Sequence, residues 1–296
     1  AQVAEWCGFV FVNLDPDAPA FEKVASKLVE HFGRDFAMEK RYKAFHAVKE
    51  VPANWKVCME AFAEGYHVIA THPQILEFAG DANSEYSIWP DSPYVTRFVN
   101  GFGIQSPHLG SLSEQQVADA YLNFSARAAR GSVEVPDGKT AREVVADVFR
   151  SVMGQVFDVD LSQVSDSEIL DAHLYHLFPA FAPWAGVGQS LTYRWRPGPT
   201  PDTCYMDVLR MMPVPDGADR PKPAPMQVLR LEQSWKEAEG MGGLADVFEQ
   251  DMENLPKVQL GLKMTAKRAK KGVSFGLYQE ARMRLIHRHI DRFILE

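Results

Sequence analysis

The order of the predicted strands and helices is the feature that most limits how this chain can fold. Short runs rich in aromatic and β-branched residues are closed by proline, glycine and aspartate, and amphipathic helical segments flank these runs without alternating with them. The predicted strands are residues 5–14, 42–51, three segments of 84–104, 172–177, 186–195, 203–212 and 226–234. Consecutive strands without strict βαβ alternation indicate an α+β domain with an antiparallel sheet.

Helical spacing of apolar residues predicts the remaining elements. The predicted helices are residues 21–32, a segment from 54 onward, 244–259 and 277–295, with a helical insertion around 112–155. In the insertion, apolar residues recur at Val117, Ala120, Tyr121, Phe124 and Ala128. No internal repeat or low-complexity linker divides the chain, so we predict a single domain over residues 1–296.

Composition argues against several classes of function. A formal net charge of −8 does not suit nucleic-acid binding, which requires clustered cations on phosphate. The apolar runs are far shorter than the roughly 20 residues of a membrane helix, and no secretory signal is visible. Cys7, Cys58 and Cys204 are odd in number and widely spaced, which is not typical of a disulfide framework. We therefore expect a cytoplasmic protein.

The stretch from Asn54 to Pro73 combines a core-facing helical pattern with side chains that bind metals. Its predicted apolar stripe is Trp55, Met59, Phe62 and Tyr66, and its second stripe is Glu60, Glu64 and His67. On an uninterrupted helix, His72 would point about 140° away from His67. Because a proline follows His72 and disfavours helical geometry there, we expect the helix to break before His72 and to return its imidazole toward His67.

Two histidines and nearby acids do not by themselves define a metal site. Buried, hydrogen-bonded histidines are one alternative, and a zinc hydrolase is another, although the spacing differs from the i, i+4 histidines of zinc proteases. The other histidines are expected to have no metal role: His173 and His176 on opposite faces of a strand, His287 and His289 at the surface of the last helix, and His31, His46 and His108 without a partner pattern.

A longer set of motifs is more specific than the histidine pair. The chain reads Asn54-Trp55-Lys56, Glu60-Ala61-Phe62, Glu64-Gly65-Tyr66-His67 and Thr71-His72-Pro73, and later Glu249-Gln250-Asp251 followed by Gln259-Leu260-Gly261. These motifs resemble the catalytic domain of the large (α) subunit of Rieske non-haem iron ring-hydroxylating oxygenases. The strand segment from Gly8 to Pro16, the Leu177-Phe178-Pro179 segment and the final helix extend the resemblance over nearly all of the chain. It implies a helix-grip fold, with an antiparallel sheet wrapped by helices.

The resemblance also implies the chemistry. His67, His72 and Asp251 would hold a mononuclear Fe(II), since two imidazoles and one carboxylate leave positions open for dioxygen and substrate. Periodicity cannot choose among Glu249, Asp251 and Glu253, and the motif match selects Asp251; the other two are expected to be solvated surface acids. Glu64 stands where an acid, often Asp, bridges to the Rieske cluster of the adjacent subunit, and Ala61 stands where Asn is common.

Partners and cofactors follow from the same resemblance. The expected substrate is aromatic or similarly apolar, and the outcome is dihydroxylation, monohydroxylation or demethylation. A Rieske [2Fe–2S] cluster requires Cys-x-His and Cys-x-x-His pairs, which this chain lacks, so we expect an N-terminal Rieske domain outside it and no turnover by these residues alone. NADH through a reductase, with or without a ferredoxin, would supply electrons to a homotrimer, with or without β subunits. A helix-grip domain that binds a hydrophobic ligand without redox chemistry is the alternative.

Overall fold

One large β-sheet organises the fold in the computed structural model, which describes residues 1–125, 133–187, 190–269 and 272–295. Within these residues, eight strands form this sheet in the order β10-β3-β9-β8-β7-β6-β5-β4, and a separate hairpin holds β1 and β2. The strands are β1 Gln2–Trp6, β2 Phe9–Asn13, β3 Arg41–Val51, β4 Glu85–Ile88, β5 Val95–Asn100, β6 Ala172–Leu177, β7 Phe181–Ala185, β8 Leu191–Pro197, β9 Cys204–Pro213 and β10 Gln227–Leu229.

The large sheet confirms the predicted α+β class. All neighbouring strands from β3 to β4 along the sheet pair antiparallel. The short edge strand β10 is an exception, because it pairs parallel to β3 through Gln227, Val228 and Leu229. The predicted strand over 226–234 is therefore shorter than expected and runs the other way relative to its neighbour.

Two further strand predictions were wrong in detail, and one strand was missed. Residues 5–14 are not one strand but part of a hairpin, because Cys7 and Gly8 both take positive φ, as a two-residue hairpin turn requires. In the third segment of 84–104, Gly103 also has positive φ, and Phe102 makes only an isolated bridge. Strand β7 was missed because it contains Pro183, which has no N–H for a ladder; its pairing with β6 skips that residue.

The helices lie around the sheet, and the predicted insertion is present. They are α1 Phe21–Val24, α2 Ser26–His31, α3 Trp55–Ala61, α4 Val68–Thr71, α5 Glu114–Phe124, α6 Ala141–Phe157, α7 Asp166–Leu170, α8 Leu244–Ala269 and α9 Ala281–Leu295. Helices α5 and α6 form the predicted insertion, each begun by a capping box, and Ala128 lies outside the described residues. Among the described helices, none is both long and apolar enough to cross a lipid bilayer.

Apolar side chains cover both faces of the large sheet. On one face, Met206, Val208 and Tyr193 pack with residues of α3 and α8, such as Met59 and Phe248. On the other face, Leu28 of α2 packs with Phe32 and Tyr175 beneath the β1–β2 hairpin. The helical insertion has its own buried cluster around Phe78, Tyr121 and Phe149. Because α3 and α8 pack against each other on the first face, side chains far apart in sequence meet there.

Candidate metal centre

The first part of the candidate centre follows from how α3 begins and ends. Asn54 caps the helix, since its side-chain oxygen accepts the N–H of Lys56 at 3.0 Å. The backbone N–H of Asn54 donates to Gln259 Oε1 at 3.0 Å, which ties the start of α3 to α8. Helix α3 ends at Ala61, and Tyr66 is therefore 61% exposed and does not continue the predicted apolar stripe.

The turn between α3 and α4 is organised by the carboxylate of Glu64. This carboxylate is buried and accepts the backbone N–H groups of Tyr66 and His67, the latter at 3.0 Å. Its other oxygen lies 2.7 Å from His67 Nδ1. This contact makes Nδ1 the donor nitrogen of a neutral His67 ring and turns Nε2 toward Asp251.

His72 is brought back toward His67 as expected. Helix α4 ends at Thr71, and His72 leaves helical geometry with φ −126° and ψ 53° before Pro73. The two imidazole rings then lie 5.2 Å apart, centroid to centroid. The break in the helix is therefore what places both rings on one site.

A carboxylate from α8 completes the cluster. Oδ1 of Asp251 lies 3.1 Å from Nε2 of His72 and 3.8 Å from Nε2 of His67. One donor atom from each of the three residues lies within 4.8 Å of the others. His72 and Asp251 are buried, whereas the His67 side chain keeps 21% of its exposure, so the cluster opens to solvent beside His67.

The chemistry of this donor set fits a mononuclear iron. Two imidazole nitrogens and one carboxylate are the donors of the non-haem iron facial triad. Metal-bound histidines donate their other ring N–H to an acceptor, and here Nδ1 of His72 lies 2.8 Å from Gln250 Oε1. Burial lowers the pKa of His67, but the hydrogen bond and charge of Glu64, with the charge of Asp251, outweigh burial and raise it. Two negative carboxylates favour a cation at this point.

Glu249 and Glu253, the acids on either side of Asp251, differ in their surroundings. Glu249 Oε1 accepts a hydrogen bond from Ser234 Oγ at 2.8 Å and one from Trp235 N at 2.5 Å. The expectation of a solvated Glu249 was therefore wrong, because this side chain fastens the loop before α8. Glu253 is exposed, as expected. Of the three acids, Asp251 alone belongs to the histidine cluster found among the described residues.

An aromatic cluster around Phe62 lies between the sheet and the helices that carry the candidate centre. The ring of Phe62 lies 5.3 Å from Tyr193, 5.8 Å from Trp195 and 5.6 Å from Phe248, which is one helical turn from Asp251. Burial, assisted by the negative charge of Asp251, raises the pKa of the Tyr193 hydroxyl. These buried rings form the packing between the sheet and α8, the helix that carries Asp251.

Two cavities lie away from the candidate centre. Two cavities, of about 390 and 350 Å³, are both lined by Phe9, His46 and Leu209 under the β1–β2 hairpin. Leu209 packs on the sheet face opposite to the one that α3 and α8 cover. These cavities are therefore separate from the candidate centre.

The other histidines have partners of their own. His173 and His176 are buried, and their Nε2 atoms lie 3.0 Å from Ser167 O and 3.2 Å from Pro179 O. The predicted surface position of His289 was wrong, because the amphipathic helix α9 packs this residue against Pro93. His287 pairs with Glu60. The other three have partners that spacing did not predict: His31 with Tyr175, His46 with Asp207 and His108 with Asp81.

Sequence reasoning missed the amide and aromatic groups around the centre. Gln250 stands beside Asp251 in the quoted motif, so its position could have suggested a role. Gln74 lies two residues past His72, but only the fold brings its amide to Gln250, as only the fold brings Tyr193 near Asp251.

Comparison with known proteins gives a consistent family match. The family model described as the ring hydroxylating alpha subunit (catalytic domain) matches residues 31–296. The carnitine monooxygenase oxygenase subunit of Acinetobacter pittii is 37% identical over 73 residues, which are 24% of this chain and 20% of that protein. The glycine betaine monooxygenase oxygenase subunit of Pseudomonas aeruginosa is 32% identical over 76 residues, 26% of this chain and 18% of that protein. The matched stretch thus spans about a fifth of these relatives.

Solved structures show similar chains at low identity. The quaternary ammonium Rieske monooxygenase CntA in complex with L-carnitine has a TM-score of 0.48 and 16% identity, covering 88% of this chain and 51% of that chain. Naphthalene 1,2-dioxygenase with indole bound has a TM-score of 0.47 and 14% identity, covering 88% of this chain and 52% of that chain. The chain spans about half the length of each.

Proposed function

Because this chain belongs to the family of ring-hydroxylating oxygenase α subunits, as a catalytic domain, we propose that it performs O2-dependent hydroxylation at a mononuclear Fe(II). His67, His72 and Asp251 would be the iron ligands. One observation carries this proposal: three donor atoms converge within 4.8 Å, while the outward nitrogen of each imidazole already has an acceptor. Iron in such a site binds and activates dioxygen at its open coordination positions.

The residues of this chain would prepare the centre in distinct ways. Glu64 orients the ring of His67 and keeps the proton on Nδ1, and Gln250 does the same for His72. The carboxylate of Asp251 supplies a fixed negative charge between the two rings. The buried rings packed around Phe62 keep water from the side of the centre that faces the sheet.

For the substrate we propose first a quaternary ammonium compound, the class that the names of similar proteins indicate. The carboxylates of Glu64 and Asp251 lie at the centre, and their negative charge favours a cationic substrate. The aromatic substrate predicted from the resemblance is the second candidate. Titration of the iron-loaded protein with carnitine and with naphthalene separates them: a heat of binding with only one compound selects its class.

The source of electrons lies outside these residues. No cysteine here stands in a Cys-x-His or Cys-x-x-His pair, so the chain does not fit a Rieske cluster. We propose that a cluster in the same protein or in a neighbouring subunit of a trimer supplies them, fed by NADH through a reductase. Glu64 uses three acceptor positions within its own turn, which leaves about one for a donor from a neighbour.

Metal analysis tests the proposal. The anaerobically reconstituted protein is expected to retain roughly one Fe(II) per chain, and Asp251→Ala is expected to lose it while keeping the fold, because one of three ligands is gone. Glu253→Ala is the matched control, since this acid of the same helix is exposed. Iron content by mass spectrometry and circular dichroism give the readouts.

Two outcomes would contradict the proposal. Iron retained by Asp251→Ala would mean that another group is the ligand. A wild-type protein that folds, binds a hydrophobic ligand and takes up no iron would instead support a non-catalytic helix-grip protein.

A further inference from the structure

The acceptor for His72 is itself held by a second amide. Gln250 Oε1 lies 2.8 Å from Nδ1 of His72 and accepts the amide N–H of Gln74 at 2.8 Å. Gln250 Nε2 donates in return to Gln74 Oε1 at 3.2 Å. The two glutamines therefore form a reciprocal pair across 176 residues of sequence, with an oxygen turned toward the imidazole.

The orientation of this amide decides which tautomer of His72 is present. An oxygen facing Nδ1 requires a proton there, which leaves Nε2 with the lone pair that a metal needs. Asp251 favours the opposite tautomer, because its Oδ1 lies 3.1 Å from Nε2 and would accept a hydrogen bond from a protonated Nε2. Without an acceptor at Nδ1, the hydrogen bond to Asp251 would draw the proton to the metal-binding nitrogen.

The tautomer of His67 does not depend on the orientation of an amide. Its Nδ1 faces the carboxylate of Glu64, which has no donor to offer in its ionised form, so that tautomer is set by the chemistry of the group. The amide of Gln250 can present either its N–H or its oxygen, so the orientation of the side chain decides which of them faces His72. The tautomer of His67 is thus set by the charge of Glu64, and the tautomer of His72 by the orientation of Gln250.

We propose that Gln250, held in place by Gln74, is the positioning residue that keeps His72 in the Nδ1–H tautomer and so makes its Nε2 available to the metal. This inference rests on the proposed iron site. Gln74 is exposed and acts only through Gln250, which predicts a specific dependence of one substitution on the other.

Metal affinity in a double-mutant cycle tests the proposal. Fe(II) affinity is measured anaerobically by competition with a chromophoric chelator for the wild type, Gln250→Met, Gln74→Met and the double variant. Gln250→Met is expected to weaken affinity by about 10- to 100-fold, the usual loss when the outer partner of a histidine ligand is removed. Gln74→Met is expected to weaken affinity in the wild-type background and to have no further effect once Gln250 is gone.

Two further variants separate positioning from general damage. Gln250→Glu retains an acceptor and is expected to stay within about threefold of wild-type affinity. Glu253→Met places the same side chain on an exposed position of α8 and is expected to leave affinity unchanged. Wild-type affinity in Gln250→Met, or strictly additive losses in the double variant, would overturn the proposal.

A second readout does not depend on iron. In the metal-free protein, imidazole ¹⁵N chemical shifts report the tautomer of His72, which is expected to be Nδ1–H in the wild type and in Gln250→Glu, and Nε2–H in Gln250→Met. The same tautomer in wild type and Gln250→Met would refute the inference. If the wild type binds no iron, the proposed function fails, yet these spectra still decide the role of Gln250.

Discussion

Asp207 offers the sharpest test of how charge stabilises this fold. Its side chain lies in β9 with no exposed surface, and it accepts hydrogen bonds from three side chains: His46 Nε2 at 3.0 Å, Arg194 Nη2 at 2.9 Å and Arg196 Nε at 3.1 Å. Burial alone would raise its pKa. The hydrogen bonds and the positive charges of both arginines outweigh burial and lower the pKa to about 2.

The size of the effect follows from linkage. A pKa lowered from 3.8 to about 2 corresponds to about 2 kcal/mol of stability at neutral pH, at about 1.4 kcal/mol per pKa unit. Because folding lowers the pKa of this acid, its contribution to stability is complete above pH 4 and is lost as pH falls toward 2. About half of it remains at pH 3. We therefore expect Asp207→Asn to lower the free energy of unfolding by about 2 kcal/mol at pH 7 and by about half as much at pH 3.

Urea unfolding followed by tryptophan fluorescence at the two pH values measures this difference. Asp246→Asn is the control, because its side chain is 70% exposed and pairs with an exposed lysine, so it should change stability little at either pH. A deficit that is equal at pH 7 and pH 3 would show that lost packing, and not the charge of Asp207, is responsible. A deficit below about 0.5 kcal/mol at pH 7 would refute the reasoning outright.

Two further predictions concern the centre and its support. Glu64→Gln, in a form supplied with a Rieske cluster, is expected to retain iron because the amide oxygen can still accept from His67, but to lower NADH-coupled turnover about 10- to 100-fold; unchanged oxygen consumption would contradict any role in coupling. Trp235→Ala is expected to cost about 3–5 kcal/mol in urea unfolding, because this fully buried ring packs 5.1 Å from Phe248 on the ligand-bearing helix; a loss below about 1 kcal/mol would contradict it.

The sequence was sufficient for features whose causes are local. Alternating and helical patterns predicted β3 and β6 closely and the last helix in part, and Pro73 predicted the break that returns His72 toward His67. The quoted motifs singled out His67, His72 and Asp251, which the structure places together. Their role as iron ligands stays a prediction that the metal analysis tests.

Other features depended on contacts between distant residues. Spacing rules could not show that Glu249 fastens the Ser234–Trp235 turn while its near neighbour Asp251 points at the histidines. They could not show that α3 stops before Tyr66, or that β7 accommodates a proline.

Periodicity and turn chemistry are properties of neighbouring residues, so the sequence alone predicted most of the strands, the helix break and the types of side chain available for a metal. The tertiary structure decided which of those side chains meet, because packing of α3 and α4 against α8 brings His72 to Asp251 across 179 residues and sets the Gln74–Gln250 pair beside them. Hydrogen bonds between such distant groups form only after the sheet and helices have buried the apolar surface that holds them in register.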